Sequence, residues 1–118
     1  MLKREAKKVK RSERKRRVRA KISGTEVRPR ISVFRSLKSL SVQAINDVKG
    51  VTLAHAKLKD LGKNSKNTVE NATALGALLA ERLTKLKIDQ AVFDRSGYRY
   101  HGKVKAVAEA LREKGIRI

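Results

Sequence analysis

The first 21 residues, MLKREAKKVKRSERKRRVRAK, constrain this chain more than any other stretch. They carry 12 Lys or Arg against two Glu, and their only large aliphatics, Leu2, Val9 and Val18, share no close helical stripe. With so little apolar surface to offset chain entropy, the segment adds nothing to a core and is expected to be disordered alone. Whatever folds must come from the residues that follow. A chain of 118 residues has room for one ordinary domain and not for two. Residues 1–22 therefore read as a basic arm and residues 23–118 as one globular domain, with SGTEVRP, residues 23–29, as the hinge between them.

The arm's net charge of +10 is half of the formal +20 of the whole chain. Self-repulsion on that scale opposes compaction unless an acidic partner neutralises it, and nucleic acid ranks first among such partners. Basic arms order against phosphates because each contact releases condensed counterions. The plainer alternative is a solubility tail or a localisation signal. Absence of cysteine excludes disulfides and thiolate metal sites, and the two histidines, His55 and His101, match no metal-ligand spacing. No apolar run approaches the ~20 residues that span a bilayer, and no apolar signal-peptide core follows the N-terminus. The expectation is a soluble, cytoplasmic protein with no membrane association.

Alternation organises the folded part. RISVFRS and LSVQAIND both alternate, and two residues, Leu37 and Lys38, suffice to link them as a hairpin. If Ser36 pairs with Ser39, Val33 meets Val42 and Ile31 meets Ala44 on an apolar face. Arg30, Ser32, Phe34, Ser41, Gln43 and Ile45 then share the opposite face. DVKG turns the chain, Gly50 allowing positive φ, into a third strand, VTLAHAK. LKDLGKNSK reads as a loop, and Asn67 as the cap of a helix whose Glu70 completes a capping-box-like start. Val69, Ala72, Gly76, Leu79, Leu83 and Leu86 recur at helical spacing, and the small residues Ala72, Gly76 and Ala80 would let that helix lie close to a sheet. DQAVFD reads as a short buried strand. GKVKAVAEALREKG reads as a second helix, with Val104, Val107, Ala108 and Leu111 inward and Gly115 at its stop. The fold class is thus α/β, a single mixed-sheet domain of order β-β-β-α-β-α with both helices on one face.

One stretch carries the chemistry. DRSGYRYHGKVK holds Gly97, four intervening residues, then Gly102 and Lys103, in the strand–loop–helix order of a nucleotide-binding P-loop. Val104 offers no hydroxyl for Mg²⁺, and Tyr98, Arg99, Tyr100 and His101 are too bulky for backbone amides to wrap a phosphate. A compressed hydrolase triad of Asp94, Ser96 and His101 has no nucleophile-elbow pattern behind it. As an RNA-facing loop the same residues make more sense. Arg95, Arg99, Lys103 and Lys105 supply charge, Tyr98 and Tyr100 offer π-faces and hydroxyls, and His101 is a donor to phosphate or ribose. Gly97 and Gly102 let the backbone approach closely, and the helix starting near Lys103 adds its terminal amides. The structural alternative is that one or both tyrosines pack the edge of the core.

VFDRSGYRYHGKVKAVAEALREKG, with RPRISVFRS and RVRAKISGT, closely resembles the bacterial large-subunit ribosomal protein family eighteen, the 5S rRNA-binding family. The resemblance implies a non-enzymatic structural protein without cofactors. It implies contacts with 5S and 23S rRNA and with neighbouring ribosomal proteins of the central protuberance, and a monomer when free. It carries over to Lys7, Lys8, Lys10, Arg11, Arg14, Lys15, Arg16, Arg17, Arg19 and Lys21 in the arm, which ends in the turn Ile22-Ser23-Gly24-Thr25. Around the first hairpin it covers Arg28, Arg30, Phe34, Arg35, Ser36, Lys38 and Gln43. In the last loop it covers Arg95, Gly97, Tyr98, Tyr100, His101, Gly102 and Lys103, to which the residue-level reading adds Arg99 and Lys105. Relatives often read FRSNKHIYAQ where this chain reads FRSLKSLSVQ, so Leu37, Ser39 and Ser41 replace a polar turn residue, a histidine and a tyrosine. That departure shifts base contact from the open face beyond Phe34 toward the last loop. Ser96 stands where a glycine is common, which argues against strongly positive φ there. Two rivals remain: a sequence-blind architectural nucleic-acid protein, dimeric and supported by charge alone, and an NTPase needing Mg²⁺-dependent nucleotide binding.

Overall fold

The computed structural model describes residues 23–36, 39–62, 66–96 and 98–118. The arm, Lys38 and Gly97 lie outside the described residues. Three antiparallel strands come first, β1 (Arg30–Arg35), β2 (Leu40–Asn46) and β3 (Val51–Lys57). A short 3-10 turn (Leu58–Leu61) leads to helix α1 (Val69–Lys85), then strand β4 (Val92–Asp94) and helix α2 (Gly102–Glu113). The sheet order is β3-β2-β1-β4, with β4 parallel to β1.

The alternating pattern places each strand as expected. Ile31 pairs with Ala44, Val33 with Val42 and Phe34 with Ser41. Ile31, Val33, Val42, Ala44, Ala54 and Ala56 are buried beneath the helices together with Leu75, Leu79, Leu83, Val104, Val107 and Leu111. The two helices cover this one face, which leaves the other to solvent. The stripe of α1 differs in detail from the expected one. Leu75 joins it fully buried, whereas Val69 and Leu86 at its ends stay about half exposed. Gly76 serves a different neighbour than the sheet: a Cβ there would lie 2.7 Å from the Val107 carbonyl oxygen and 2.9 Å from the Ala110 Cβ. Its missing side chain lets α1 lie against α2. Gly115, at φ +95°, ends α2 as expected, its N–H bonded to the Arg112 carbonyl.

Four expectations are corrected. Thr68, not Asn67, caps α1, accepting the Asn71 N–H at 3.2 Å. Residues 23–29 are docked rather than hinged. The Gly24 N–H bonds Asp47 Oδ2 at 2.7 Å, the Asp47 N–H returns to the Gly24 carbonyl at 2.9 Å, and a Cβ on Gly24 would collide with the backbone of Arg30 and Ile45. Ser96 does take the left-handed conformation, φ +56°, held by its N–H on Asp94 Oδ1 at 2.8 Å. The strand read from DQAVFD shrinks to three residues, with Gln90 instead forming an isolated parallel bridge to Arg117.

The most consequential correction concerns Arg30. It is 8% exposed, and its guanidinium bridges two carboxylates. Nε and Nη2 donate to Asp47 at 2.9 Å each, and Nη1 donates to fully buried Asp94 at 2.8 Å. The bonds to Asp47 are the main reason that its pKa lies above the usual arginine value, against the opposing effect of burial. One fork thus joins β1, the turn after β2 and the end of β4. Only arginine carries donors fanned widely enough to do so.

At the sheet edge, Arg82 of α1 donates to the His55 carbonyl of β3 and to Asp60 at 3.1 Å. The Lys57 N–H, chiefly, and then Arg82 hold the Asp60 carboxyl below its ordinary pKa. Its stabilisation is complete above the unfolded value, near pH 4, and is lost as pH falls through the lower folded one.

Two outcomes are expected. Arg30→Met leaves Asp94 buried without its cation and lowers the unfolding free energy in urea by about 3 kcal/mol or more; a change below ~1 kcal/mol contradicts the role assigned to the fork. Asp60→Asn lowers the melting temperature at pH 6, and the gap from wild type closes as pH drops below about 4. A gap that is constant from pH 6 to pH 2.5 contradicts the linkage.

Candidate nucleic-acid interface

The solvent face of the sheet is built by the residues that alternate away from the core. Ser32 of β1 stands opposite Gln43 of β2, which stands opposite His55 of β3; Phe34, Ser41 and Lys57 form the next row. Phe34 is 58% exposed, and Gln43, His55 and Lys57 are exposed as well. The four strands contain one carboxylate, Asp94, and it is fully buried. Exposed carboxylates lie elsewhere: Glu81 and Glu109 on the helices, Glu26 and Asp89 in connections, each within 4.0 Å of a cation. Such exposed pairs contribute little to stability. Their placement matters more, because the strands of the open face themselves expose no carboxylate; Asp47, in the turn after β2, is partly exposed but paired with Arg30.

The loop of residues 95–101 is welded to this face. Strand β4 pairs only with Arg30 to Ser32, so the far half of β1 has a bare flank. Tyr98 fills it. Its hydroxyl donates to the Arg35 carbonyl at 2.8 Å and lies 3.3 Å from the Arg35 N–H, taking the place of a strand neighbour. The ring packs against the edge of the core. Ser96 adds a second link, its Oγ 3.1 Å from that of Ser32. These contacts tie β1, from Ser32 to Arg35, to the loop that carries Arg95 and Arg99. Arg35, Ser36, Arg99 and His101 are exposed, and Arg95, Gly102 and Lys103 half-buried.

The residues singled out in the sequence therefore divide. Phe34 and Gln43 alternate onto the open face with Ser36 at its end, Arg95, Arg99 and His101 stand in the adjoining loop, and Lys103 lies in the first turn of α2. Arg35, exposed at the hairpin end, pairs with core-facing Leu40 and so leaves β1 on the opposite side from Phe34. Tyr98 belongs to the frame and is not an open stacking platform. Tyr100 is 39% exposed, meets Phe93 edge-on with centroids 6.5 Å apart, and accepts a bond from Arg112 at 2.9 Å. Arg28 sits exposed at the opposite end of β1, two residues before Arg30, and Lys105 points to Glu109 at 3.8 Å. Arg30 is withdrawn from phosphate contact into the ion network. The ten basic arm residues Lys7, Lys8, Lys10, Arg11, Arg14, Lys15, Arg16, Arg17, Arg19 and Lys21, with Lys38 and Gly97, lie outside the described residues.

His101 precedes α2 with extended backbone and no side-chain cap bond, and the first turn of the helix holds no carboxylate. The amides there join the basic loop in favouring an anion. Gly102, at φ +55°, makes the entry into that turn. The hydrolase-like trio is not assembled: Asp94 holds Arg30, and Ser96 is buried against Ser32. Among the described residues no three metal-ligating side chains converge, and no helix is long and apolar enough to cross a membrane. The hairpin register read from the sequence already placed Ser32 and Ser41 on this face; His55 and Lys57 were missed, and only the pairing of the third strand supplies them.

Comparison with known proteins adds an independent line. Residues 5–118 match the family model described as ribosomal L18 of archaea, bacteria, mitochondria and chloroplast. The large ribosomal subunit protein uL18 of Limosilactobacillus reuteri is 54% identical over 101 residues, 86% of each chain. The proteins of that name from Bacillus cytotoxicus and Helicobacter pylori are 51% and 52% identical. They cover 90% of both chains in the first case, and 93% of this chain and 92% of the relative in the second.

Proposed function

The chain belongs to the ribosomal L18 family and is a non-enzymatic structural component of the large ribosomal subunit, and from that premise we propose that it binds 5S rRNA and helps attach it to 23S rRNA in the central protuberance. The observation that carries the RNA reading is the joining of a sheet face whose strands expose no carboxylate to the basic loop by Tyr98 and Ser96. RNA meets there a polar surface with one projecting aromatic, Phe34, with Arg95 and Arg99 in the adjoining loop, Lys103 at the start of α2 and Arg35 at the hairpin end. A ring standing that far into solvent contributes little to the core and can stack on an unpaired base. Arginine forks and the amides at the start of α2 take phosphates.

The division of labour follows from the fold. Residues 1–22 supply sequence-independent attraction and reach a second RNA segment, whereas the domain of residues 23–118 supplies shape. The carboxylate-bearing outer surface of the helices is left for protein neighbours or solvent. The working location is the ribosome in the cytoplasm, and the free protein is a monomer. A sequence-blind architectural protein lacks support, because half of the net positive charge sits on a domain with a built aromatic-bearing face.

The test is a titration of full-length protein with 5S rRNA and with a scrambled RNA of equal length across a salt series. Wild type prefers 5S rRNA at moderate salt. Phe34→Ala weakens 5S binding by about 1–3 kcal/mol while leaving thermal stability nearly unchanged. Arg99→Ala flattens the slope of log K against log salt by roughly 0.7–0.9, with little change in preference. Equal affinity of wild type for both RNAs sinks the reading.

A further inference from the structure

The tip of the first hairpin extends past both of its neighbours. Strand β4 pairs no further along β1 than Ser32, and β3 no further along β2 than Ser41. Ser36 and Ser39 therefore lie outside both flanking ladders, although Phe34, Arg35 and Ser36 belong to the proposed RNA surface. Within the tip the Ser36 N–H bonds the Ser39 carbonyl at 3.0 Å, and the Ser39 N–H bonds the Ser36 hydroxyl at 3.1 Å. That leaves the Ser36 carbonyl, and the second lone pair of the Ser39 carbonyl, without a strand to meet.

Asn67 supplies both partners. Its Nδ2 donates to the Ser36 carbonyl at 3.0 Å and to the Ser39 carbonyl at 3.2 Å, one amide clasping the two strands at their last pair. Since both partners can only accept, the NH₂ end must face the hairpin. The other end is then turned inward, and Asn67 Oδ1 is buried with no hydrogen-bond partner among the described residues. A buried acceptor left unpaired is destabilising and calls for an explanation beyond stability. Nor is Asn67 free to relax. Asn71 Nδ2 holds the Lys66 carbonyl at 2.6 Å, the Thr68 N–H bonds that same carbonyl at 3.0 Å, and Thr68 caps α1. The clasp is anchored on the first turn of the helix.

We propose that Asn67 is a positioning residue for RNA binding, which fixes the hairpin tip so that Phe34 and Ser36 present one preformed surface with Arg35 held at the same end of the hairpin, without itself touching RNA. This rests on the RNA reading given above. Preorganisation raises affinity by removing the ordering cost that a loose tip would otherwise charge to binding.

A covalent clasp tests it. The Ser36 and Ser39 hydroxyl oxygens lie 2.8 Å apart, and the chain has no cysteine of its own, so Ser36→Cys with Ser39→Cys gives a hairpin that can be locked by oxidation. Full-length protein of this background, with and without Asn67→Ala, is titrated with 5S rRNA well below its melting temperature, reduced and oxidised. In the dithiol form Asn67→Ala weakens binding about tenfold and speeds amide exchange at residues 36 and 39; in the disulfide form it weakens binding less than twofold. Equal weakening in both forms means that Asn67 acts at the RNA itself and overturns the proposal, as does no weakening in the dithiol form. Either of these leaves the RNA reading standing. If the wild-type protein, titrated alongside, fails to prefer 5S rRNA over the scrambled RNA, the RNA reading falls and the proposal with it.

Discussion

The guanidinium of Arg30 is the joint on which the rest of the structure depends. It ties β1 to the turn after β2 through Asp47 and to the end of β4 through Asp94. Asp47 in turn holds Gly24, so the first described residues are folded onto the same joint. Asp94 holds the Ser96 N–H, which starts the loop of residues 95–101 in its left-handed turn. One buried cation therefore sets where the chain enters the sheet and where it leaves toward α2. Two carboxylates around one guanidinium leave a formal charge of −1, tolerable because Asp47 keeps contact with water. Lysine could not substitute, since a compact ammonium cannot hold two carboxylates on opposite sides of a planar fork.

From this joint follows a molecule with two unlike sides. The helices bury the apolar face of the sheet, and the interlock at Gly76 lets them do so as a close pair. On the other side no exposed carboxylate interrupts the strands, and the loop that continues from β4 is held to β1 by a tyrosine hydroxyl standing in for a strand. The loop's basic side chains are thus carried on a fixed frame, with Tyr98 spent on the frame and Tyr100 half-covered by Phe93 and Arg112. Phosphate attraction and surface shape then come from different parts, the first shared with the arm and the second from the domain.

Much of this was legible in the sequence because strand alternation is a local code. RISVFRS against LSVQAIND admits one register that buries Ile31, Val33, Val42 and Ala44 together, and that register is the one observed. Helix α2 was equally plain, from its apolar spacing and Gly115. What escaped reading depends on partners distant in sequence. Arg30 looks like any arginine of a basic protein until Asp94, 64 residues on, is brought beside it. Asn67 and Thr68 are both good caps, and only the hairpin's unmet carbonyls decide that Asn67 faces outward from the helix. Ser96 adopts positive φ because Asp94 and Ser32 hold it from both ends, which no propensity predicts. Tyr98 and Tyr100 differ only in which flank of the sheet each reaches.

The central claim is that RNA lies on the sheet face and loop, not on the helices. Backbone amide shifts of the full-length protein, followed on addition of 5S rRNA, test it most directly. Changes are expected to concentrate at Phe34, Arg35, Gln43, His55 and Arg99, with the exposed residues Ala74, Glu81 and Lys85 of α1 unmoved. Changes concentrated on α1 while the strand residues stay silent would contradict it.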